Sequence, residues 1–227
     1  MTYNILGGEL GLAPVIAALR DFDADLVALQ EVDRGTRRAK RVDQPRAIAE
    51  ALGMHVEFAE HGGPGGGRTG VALLSREPLT HVERIELPDG VLAALQADVA
   101  IENAVVRTFV VHLLPTELGD PRARQAGRDI ARLREADVVL LRATDQRRPT
   151  LVLGDFNALS NGPEYAAFAD HFEDACPHGP PTWPATKPTH RIDYVWSSPE
   201  LRVLGCPSST PTASDHLPVV VDLQLAQ

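Results

Sequence analysis

The stretch TLVLGDFNAL, residues 150–159, is an apolar run that ends at Gly154 and is followed by Asp155 and Asn157. Its aliphatic composition is typical of a buried strand, and the glycine marks the end of that strand. An acid and an amide after a strand can simply form an Asx turn. In layered α/β folds, however, ligand sites lie beside such strand ends. Residues 150–159 therefore predict a central strand and a candidate site at its end.

Other polar side chains stand where apolar runs end elsewhere in the chain. They are Asn4 in TYNI, Glu31 after VALQ, His112 after TFVV, Asp193 in RIDYV, and Asp215 with His216 before the last apolar run. Taken singly, each has an ordinary explanation, such as a local hydrogen bond, a solvated strand end, a core histidine or a cap. Because strand ends of layered folds converge on one edge, their joint occurrence predicts one acidic cleft that contains histidine.

The residue types in this cleft indicate a divalent cation. Carboxylate and amide oxygens are hard donors that suit Mg²⁺ or Mn²⁺, whereas a zinc site more often uses cysteine or several histidines. Clustered carboxylates without a cation repel each other. A bound ion can neutralise a phosphoryl oxygen, a carboxylate can activate water, and a histidine held by an aspartate can stabilise the transition state. The pattern therefore favours metal-dependent cleavage of a phosphoester.

Short strand-like runs alternate with helical stretches along the chain. Strands are predicted at 2–6, 26–30, 55–59, 70–75, 81–87, 92–101, 104–112, 150–153, 192–197, 201–205 and 217–225. Short helices are predicted at 14–21 and 47–52, and a loop over the glycine-rich residues 61–70. This alternation predicts an α/β layered fold around two sheets, with residues 1–227 forming a single domain.

The longest helix is predicted to begin at Asp120 and Pro121, where an N-cap residue precedes proline. Its apolar positions, which recur at helical spacing and predict the buried face, are Ala123, Ala126, Ile130 and Leu133. The arginines at positions 122–134 are predicted to lie on the exposed face.

Composition excludes several classes of protein. An apolar content of 44% allows an ordinary core, and the net charge of −9, from 22 basic and 31 acidic residues, argues against a protein that coats long nucleic acid. Cys176 and Cys206 are too few for a disulfide framework, although one bridge stays open. We see no signal peptide and no apolar run near the roughly 20 residues of a membrane span. A cytoplasmic protein without an obligate protein partner is therefore predicted.

Six segments, in order, make the chain resemble a known superfamily. They are TYNI at 2–5, LQEVD at 29–33, VVHL at 110–113, GDFNAL at 154–159, RIDYV at 191–195 and SDHLPV at 214–219. The set resembles the endonuclease/exonuclease/phosphatase superfamily of metal-dependent phosphodiesterases and phosphatases. GRTGVALLSR at 67–76 and PTWPATKPTHRIDYV at 181–195 are similar to its small bacterial members. The resemblance implies a four-layer α/β sandwich with two packed mixed β-sheets flanked by helices.

The resemblance also implies a metal site. Glu31 matches the principal metal ligand of the superfamily, and Asn4 and Asp215 match positions that ligate or support the metal. The implied cofactor is Mg²⁺ or Mn²⁺.

The remaining matches imply catalytic roles. Asp155 matches the residue that orients or activates the attacking water, and Asn157 positions that residue or a phosphate oxygen. Asp193 and His216 match an Asp-His pair that acts on the scissile phosphate. His112 matches a residue that contacts phosphate and helps the leaving group.

Basic residues bear on the choice of substrate. Positions 34–41 contain Arg34, Arg37, Arg38, Lys40 and Arg41. They form either a solvated loop or a basic rim that attracts an anionic ester. Arg68 and Arg191 are further candidates for substrate contacts. Because residues 61–68 lack the aromatic or basic insertions of DNA-repair relatives, a small or lipid-derived phosphoester is slightly preferred over nucleic acid.

Three other functions are compatible with some of these residues. A nuclease would act on DNA or RNA by the same chemistry. A non-catalytic binding module would have a broken ligand set, whereas every matched position here has the expected residue type. A serine-type triad would use Ser75 or Ser214, but neither serine lies in a G-x-S-x-G turn.

Overall fold

The structure, a computed structural model, describes residues 1–63, 65–88, 92–115, 123–144, 148–208 and 210–226. Its strands are β1 (Thr2–Asn4), β2 (Leu26–Arg34), β3 (His55–Gly63), β4 (Gly67–Ser75), β5 (Leu79–Glu86), β6 (Ala93–Ile101), β7 (Ala104–His112), β8 (Thr150–Asp155), β9 (Glu173–Asp174), β10 (Asp193–Ser197), β11 (Leu201–Gly205) and β12 (Asp222–Leu225). The helices are α1 (Leu12–Phe22), α2 (Gln44–Leu52), α3 (Ala123–Thr144) and α4 (Pro163–Ala169).

Two large mixed sheets form the centre of the molecule. The four-stranded sheet has the order β1-β2-β4-β3, in which only β1 and β2 run parallel. The six-stranded sheet has the order β5-β6-β7-β8-β10-β9, in which β7 and β8 are the parallel pair. Strands β11 and β12 form a separate antiparallel pair. The predicted α/β sandwich of two mixed sheets flanked by helices is confirmed.

Three apolar clusters hold these layers together. One fills the space between the two sheets and includes Leu73 and Val110. A second lies under α1 and α2 and includes Tyr3. A third lies under α3 and α4, where Phe109 and Trp196 are fully buried. Burial of each such large side chain stabilises the fold by about 1.5–3 kcal/mol relative to leaving it exposed to solvent. The strands that carry the polar residues between the sheets are therefore rigidly packed.

Helix α2 begins earlier than the sequence predicts. The Asp43 side chain accepts a hydrogen bond from the Arg46 amide at 3.3 Å, and Pro45 lies in the first turn. A carboxylate cap and a proline in the first turn are strong start signals. The helix ends at Gly53, whose φ of 67° is the left-handed C-cap conformation.

The loop predicted over 61–70 is wrong, because β3 continues to Gly63 and β4 starts at Gly67. His61 pairs with Thr69 across this hairpin. The glycines that indicate a loop instead permit a tight turn, in which Gly65 and Gly66 have φ values of 69° and 78°.

The predicted faces of the long helix are wrong at Ile130 and at Arg132. Ile130 is 56% exposed, whereas Arg132 is only 4% exposed and pairs with Glu164 of α4 at 2.8 Å. The apolar stripe begins one turn later, at Ala136 and Val139. A buried ion pair between two helices replaces the apolar contact that helical spacing predicts. The predicted start at Asp120 and Pro121, and the side chains of Ala123 and Ala126, lie outside the described residues.

The last predicted strand is shorter than expected, because the chain changes partners after Leu217. The Leu217 amide bonds to Thr182 O at 2.7 Å, and Val219 forms an isolated bridge with Thr2. The bridge left open by the sequence is present, since Cys176 and Cys206 form a disulfide with a Cα–Cα distance of 5.7 Å. In the described part of the chain, no helix is both long and apolar enough to cross a membrane.

Candidate active site

Three predicted site residues form one row across adjacent strands of the six-stranded sheet. His112 on β7 is the register partner of Asp155 on β8, and Asp155 is the register partner of Asp193 on β10. Asp155 lies two residues after Leu153, a residue of the core between the sheets. Because side chains alternate along a strand, this spacing turns the carboxylate toward the same space between the sheets.

Asp155 is the residue on which the site converges. Its Oδ2 atom accepts a hydrogen bond from Asn4 Nδ2 at 3.0 Å and lies 3.7 Å from both His112 Nε2 and His216 Nε2. Its Oδ1 atom accepts from the Asn157 amide at 2.9 Å. Burial and the nearby Asp193 raise the pKa of Asp155, while the two histidines and Asn4 oppose the rise. The carboxylate therefore has a stronger tendency to take up a proton than an exposed aspartate.

Asp193 and His216 form a buried pair. His216 Nδ1 lies 3.0 Å from Asp193 Oδ2, and the two residues are 6% and 0% exposed. Burial alone lowers the pKa of His216, but the carboxylates of Asp193 and Asp155 outweigh this effect and raise the pKa to about 10. The contact through Nδ1 directs Nε2 toward Asp155, which fixes the orientation of the imidazole.

Asn4 connects the two sheets at the site. Its Oδ1 atom accepts a hydrogen bond from the Leu6 amide at 3.1 Å, so its Nδ2 atom faces the carboxylates. Nδ2 donates to Asp155 and, at 3.3 Å, to Glu31 Oε1. Glu31 lies where the pairing of β2 with β4 shifts register, and its φ is 52°. Such a bulge re-aims a side chain at the end of a strand.

Asp215 is held by Trp183 and Ser214, neither of which is among the predicted site residues. Trp183 Nε1 donates to Asp215 Oδ2 at 3.2 Å, and Ser214 Oγ lies 3.3 Å from Oδ1. Ser214 Oγ also lies 2.7 Å from the backbone oxygen of Asn4. Trp183 lies in the segment PTWPATKPTHRIDYV and Ser214 in SDHLPV. Their places in these two family-like segments are the one feature of the sequence that could have indicated a role at the site.

The donor set fits a divalent cation. Ligand atoms of Asp155, Asp193 and His216 all lie within 4.8 Å of one another, and Asp193 Oδ1 is buried with no hydrogen-bond partner among the described residues. Together with Glu31 and Asp215, this group supplies mainly hard carboxylate oxygens, as Mg²⁺ or Mn²⁺ prefers. The compact group differs from the ligand set implied by the resemblance, and the amide oxygen of Asn4 is already engaged by Leu6.

The two predicted substrate-binding arginines have other partners. Arg191 Nη2 lies 2.7 Å from both carboxylate oxygens of Asp174, and its guanidinium stacks 4.5 Å above the Tyr194 ring. Arg68 Nε lies 3.3 Å from Glu60 Oε1, and the Arg68 side chain is 58% exposed. The structure therefore ties Arg191 into a structural ion pair and leaves Arg68 at the surface.

The basic residues of 34–41 do not act as one group. Arg34 pairs with Glu60 and lies over the Phe58 ring, and Arg41 donates to two backbone oxygens. Arg38 is different, because its Nη1 atom lies 3.6 Å from Glu31 Oε2. One arginine of the segment therefore borders the site.

The sequence profile described as the Endonuclease/Exonuclease/phosphatase family matches residues 1–216. The chain belongs to this family, whose members include hydrolases of phosphoester bonds. A search of curated proteins gives no match.

Solved structures support the same fold. An endonuclease/exonuclease/phosphatase from Beutenbergia cavernae is 25% identical with a TM-score of 0.83, covering 99% of this chain and 70% of that one. The human Nocturnin catalytic domain with a bound sulfate is 21% identical with a TM-score of 0.76, covering 99% and 92%. A mannosyl-6-phosphatase from Bacteroides thetaiotaomicron is 18% identical with a TM-score of 0.69, covering 99% and 98%.

Proposed function

We propose that this chain is a divalent-metal-dependent phosphoesterase that cleaves a P–O bond by in-line attack of water. The observation that carries the proposal is the environment of Asp155 Oδ2, which Asn4, His112 and His216 approach together from both sheets. A buried carboxylate with a raised pKa and two histidines beside it is a suitable group to take a proton from water. The family supplies the class of reaction.

The cation would be held by Glu31 and Asp215, with Asn4 orienting Glu31 through its amide. Support for this choice is that Glu31 has a partly exposed side chain (28%) at the site, so its carboxylate can be reached by an ion. Mg²⁺ or Mn²⁺ held there would neutralise charge on the phosphoryl oxygens. Asp155 and Asp193 add negative charge beside this position, which favours retention of a cation.

Asp155 is the proposed base. Its Oδ1 atom is held by the Asn157 amide, and Asn157 is itself anchored by the bond of its Nδ2 to Leu113 O at 2.9 Å. These contacts fix the plane of the carboxylate, so that Oδ2 is aimed into the cleft. A fixed base lowers the entropic cost of orienting the attacking water.

His216 and His112 are the proposed groups that bind the phosphoryl oxygens. Asp193 holds His216 through Nδ1, which leaves Nε2 to face the reacting centre. His112 approaches Asp155 from the neighbouring strand. Donors held in place in this way stabilise charge that develops in the transition state.

A small or lipid-derived phosphoester is the preferred substrate, with DNA or RNA as the second candidate. The net charge of −9 supports this order. A salt titration distinguishes the two, because counterion release makes processing of long nucleic acid fall steeply with salt, whereas hydrolysis of a small ester responds weakly. A binding module without catalysis is disfavoured, because the acidic and histidine positions form one connected cluster.

The disulfide bears on the compartment. Structural disulfides persist mainly in oxidising compartments, so the Cys176–Cys206 bridge favours such a compartment over the cytoplasm. Alkylation of intact host cells with a maleimide reagent tests this proposal. We expect no modification before reduction and two labelled cysteines after it; labelling without reductant would support the cytoplasm.

Hydrolysis of bis-p-nitrophenyl phosphate and p-nitrophenyl phosphate with Mg²⁺ or Mn²⁺ tests the function. We expect turnover that EDTA abolishes and that metal restores. Glu31→Ala is the blank, because it removes a proposed metal ligand and leaves the Asp155 cluster intact. Equal rates for the wild type and this blank across a panel of phosphoesters would contradict the proposal and favour the binding module.

A further inference from the structure

The guanidinium of Arg38 is fixed in one orientation at the edge of the site. Its Nε and Nη2 atoms donate to the two carboxylate oxygens of Asp33 at 2.6 and 3.0 Å, and Asp33 is fully buried. Thr36 Oγ1 donates to the same carboxylate at 2.6 Å. A bidentate pair fixes the plane of a guanidinium. Arg38 is therefore ordered in advance and loses little freedom when it binds an anion.

The backbone of Gly7 packs directly against the Arg38 guanidinium. Gly7 has a φ of 60°, and a Cβ atom there would lie 2.5 Å from Cζ and Nε of Arg38. The buried Gln44 links Gly7 to Asp33, since its Nε2 donates to Gly7 O at 2.6 Å and its Oε1 accepts from the Asp33 amide at 2.8 Å. Arg38 thus lies in a slot built by three separate segments.

The remaining nitrogen of Arg38 faces the proposed metal ligand. Nη1 donates a hydrogen bond of 3.4 Å to Glu9 Oε1 and lies 3.6 Å from Glu31 Oε2. Both distances exceed the usual 2.7–3.2 Å of an N–H···O bond, so an oxyanion can form a shorter bond with this nitrogen. The Arg38 side chain is 25% exposed and Glu9 is 49% exposed, so solvent reaches the position.

Resting on the proposed phosphoesterase function, we propose that Arg38 is a specificity-determining residue whose Nη1 binds a terminal phosphate oxygen beside Glu31 and favours phosphomonoesters over phosphodiesters. A monoester dianion has three terminal oxygens and a second negative charge, whereas a diester has two terminal oxygens and one charge. A charge-assisted hydrogen bond therefore stabilises the monoester more. Arg68 and Arg191, the arginines that the sequence favours, are engaged by Glu60 and Asp174 instead.

The test compares kcat/KM for p-nitrophenyl phosphate and bis-p-nitrophenyl phosphate in Arg38→Gln and in the matched control Arg37→Gln, which changes an exposed arginine of the same segment. We expect Arg38→Gln to lower the monoester/diester ratio by about ten- to a hundredfold, as loss of a hydrogen bond to a charged group predicts. The control should leave the ratio unchanged. Equal losses on both esters would overturn the inference and leave Arg38 as a structural partner of Asp33.

Two further variants separate binding from folding. Asp33→Asn/Arg38→Gln removes both charges together, so no buried carboxylate is left without its partner, and it should show the same change in ratio. Glu9→Gln removes the exposed competitor for Nη1 and should shift the ratio in the opposite direction, toward the monoester. A double variant that folds and keeps the wild-type ratio would also overturn the inference.

A binding measurement keeps this inference distinct from the proposed function. Calorimetric titration of inorganic phosphate into protein with Mg²⁺ should show at least tenfold weaker binding for Arg38→Gln than for Arg37→Gln. If the wild type hydrolyses neither ester, the phosphoesterase proposal fails, and this titration alone decides the role of Arg38. Unchanged phosphate affinity in Arg38→Gln would then reject it.

Discussion

The six-stranded sheet carries buried carboxylates toward both ends of its central strands, and their partners differ in kind. Asp98 on β6 and Arg107 on β7 are register partners, joined by two bonds of 2.6 and 2.8 Å, and Arg148 adds a third at 3.0 Å. The exposed His81 ring also lies 3.3 Å from this carboxylate, but the two guanidinium groups are what distinguish it. Five residues further along β7, about 17 Å away, His112 stands beside Asp155, whose neighbours are histidines and an amide.

The difference shows that burial of an acid does not by itself mark a site. Asp98 is fully buried, but its charge is matched by guanidinium groups, and the bond to Asp98 raises the pKa of Arg107. This cluster is a structural one. At the other end Asp155 has a raised pKa, and burial is its largest cause. Incomplete compensation of this kind is typical of groups that exchange protons or attract a cation.

The most direct test of this contrast is Asp155→Asn. The substitution keeps the shape of the side chain but removes the proposed base, so we expect phosphoester turnover to fall by about 10³-fold or more, or roughly 4 kcal/mol in activation free energy. Stability should stay the same or rise, because the change removes a buried carboxylate whose charge is poorly solvated. Parallel rate measurements and urea unfolding check both parts.

A loss of stability together with activity would place Asp155 in the same class as Asp98. His216→Ala serves as a second variant at the same end, and it should also abolish turnover while the near-UV circular dichroism spectrum stays native. Activity near the wild-type level in either purified variant would reject the assignment of the base and its neighbouring histidine.

Asp98→Asn is the reciprocal test at the other end. Removal of this carboxylate leaves Arg107 and Arg148 without their buried partner, and breaking such a pair typically costs about 3–5 kcal/mol. We expect a loss of about 3 kcal/mol in the free energy of unfolding and an unchanged kcat. Urea unfolding and steady-state rates at a temperature where the variant is folded provide the measurement. A fall in kcat without loss of stability would contradict the structural role.

Much of the site can be predicted from the sequence, because strand periodicity carries the information. His112, Asp155 and Asp193 each fall in phase with the core between the sheets, and the parallel pairing of β7 and β8 then puts two of them side by side. The order of the motifs identified the family. In contrast, Trp183 and Ser214 act on Asp215 through contacts that follow no local period.

The incorrect predictions for the long helix and for residues 61–70 also arise from features that local sequence patterns do not contain. Arg132 satisfies helical spacing for an exposed face, but Glu164 from another helix makes its burial favourable. Glycines at 65 and 66 predict a loop, whereas their positive φ values allow the hairpin to close directly. The ion pair of Arg191 likewise depends on long-range pairing, because Asp174 is seventeen residues earlier in the chain and comes near only through the pairing of β9 with β10.

Removal of the disulfide tests how much a covalent bond, as opposed to charge, stabilises the end of the sheet that carries the candidate site. The disulfide between Cys176 and Cys206 closes a loop of thirty residues that contains Trp183 and Asp193. For Cys176→Ser/Cys206→Ser we expect a loss of about 3 kcal/mol in the free energy of unfolding. Wild type in dithiothreitol should unfold at the same urea concentration as this variant. An unchanged midpoint on reduction would show that the bridge does not stabilise the fold.

Binding of a metal ion is expected to change stability least, and it tests directly whether the uncompensated negative charge lies at the Asp155 end of the sheet and not at the Asp98 end. Mn²⁺ that binds the native state alone raises stability by RT ln(1 + [L]/Kd), about 2.7 kcal/mol at one hundred times Kd. We expect Mn²⁺ to raise the Tm of the wild type and of Asp98→Asn equally, because the arginines at that end already neutralise the carboxylate. Glu31→Ala should lose the increase, since it removes a proposed ligand at the other end. A Tm increase that survives Glu31→Ala but disappears in Asp155→Asn would instead assign the ion to Asp155, Asp193 and His216, whose ligand atoms lie within 4.8 Å of one another.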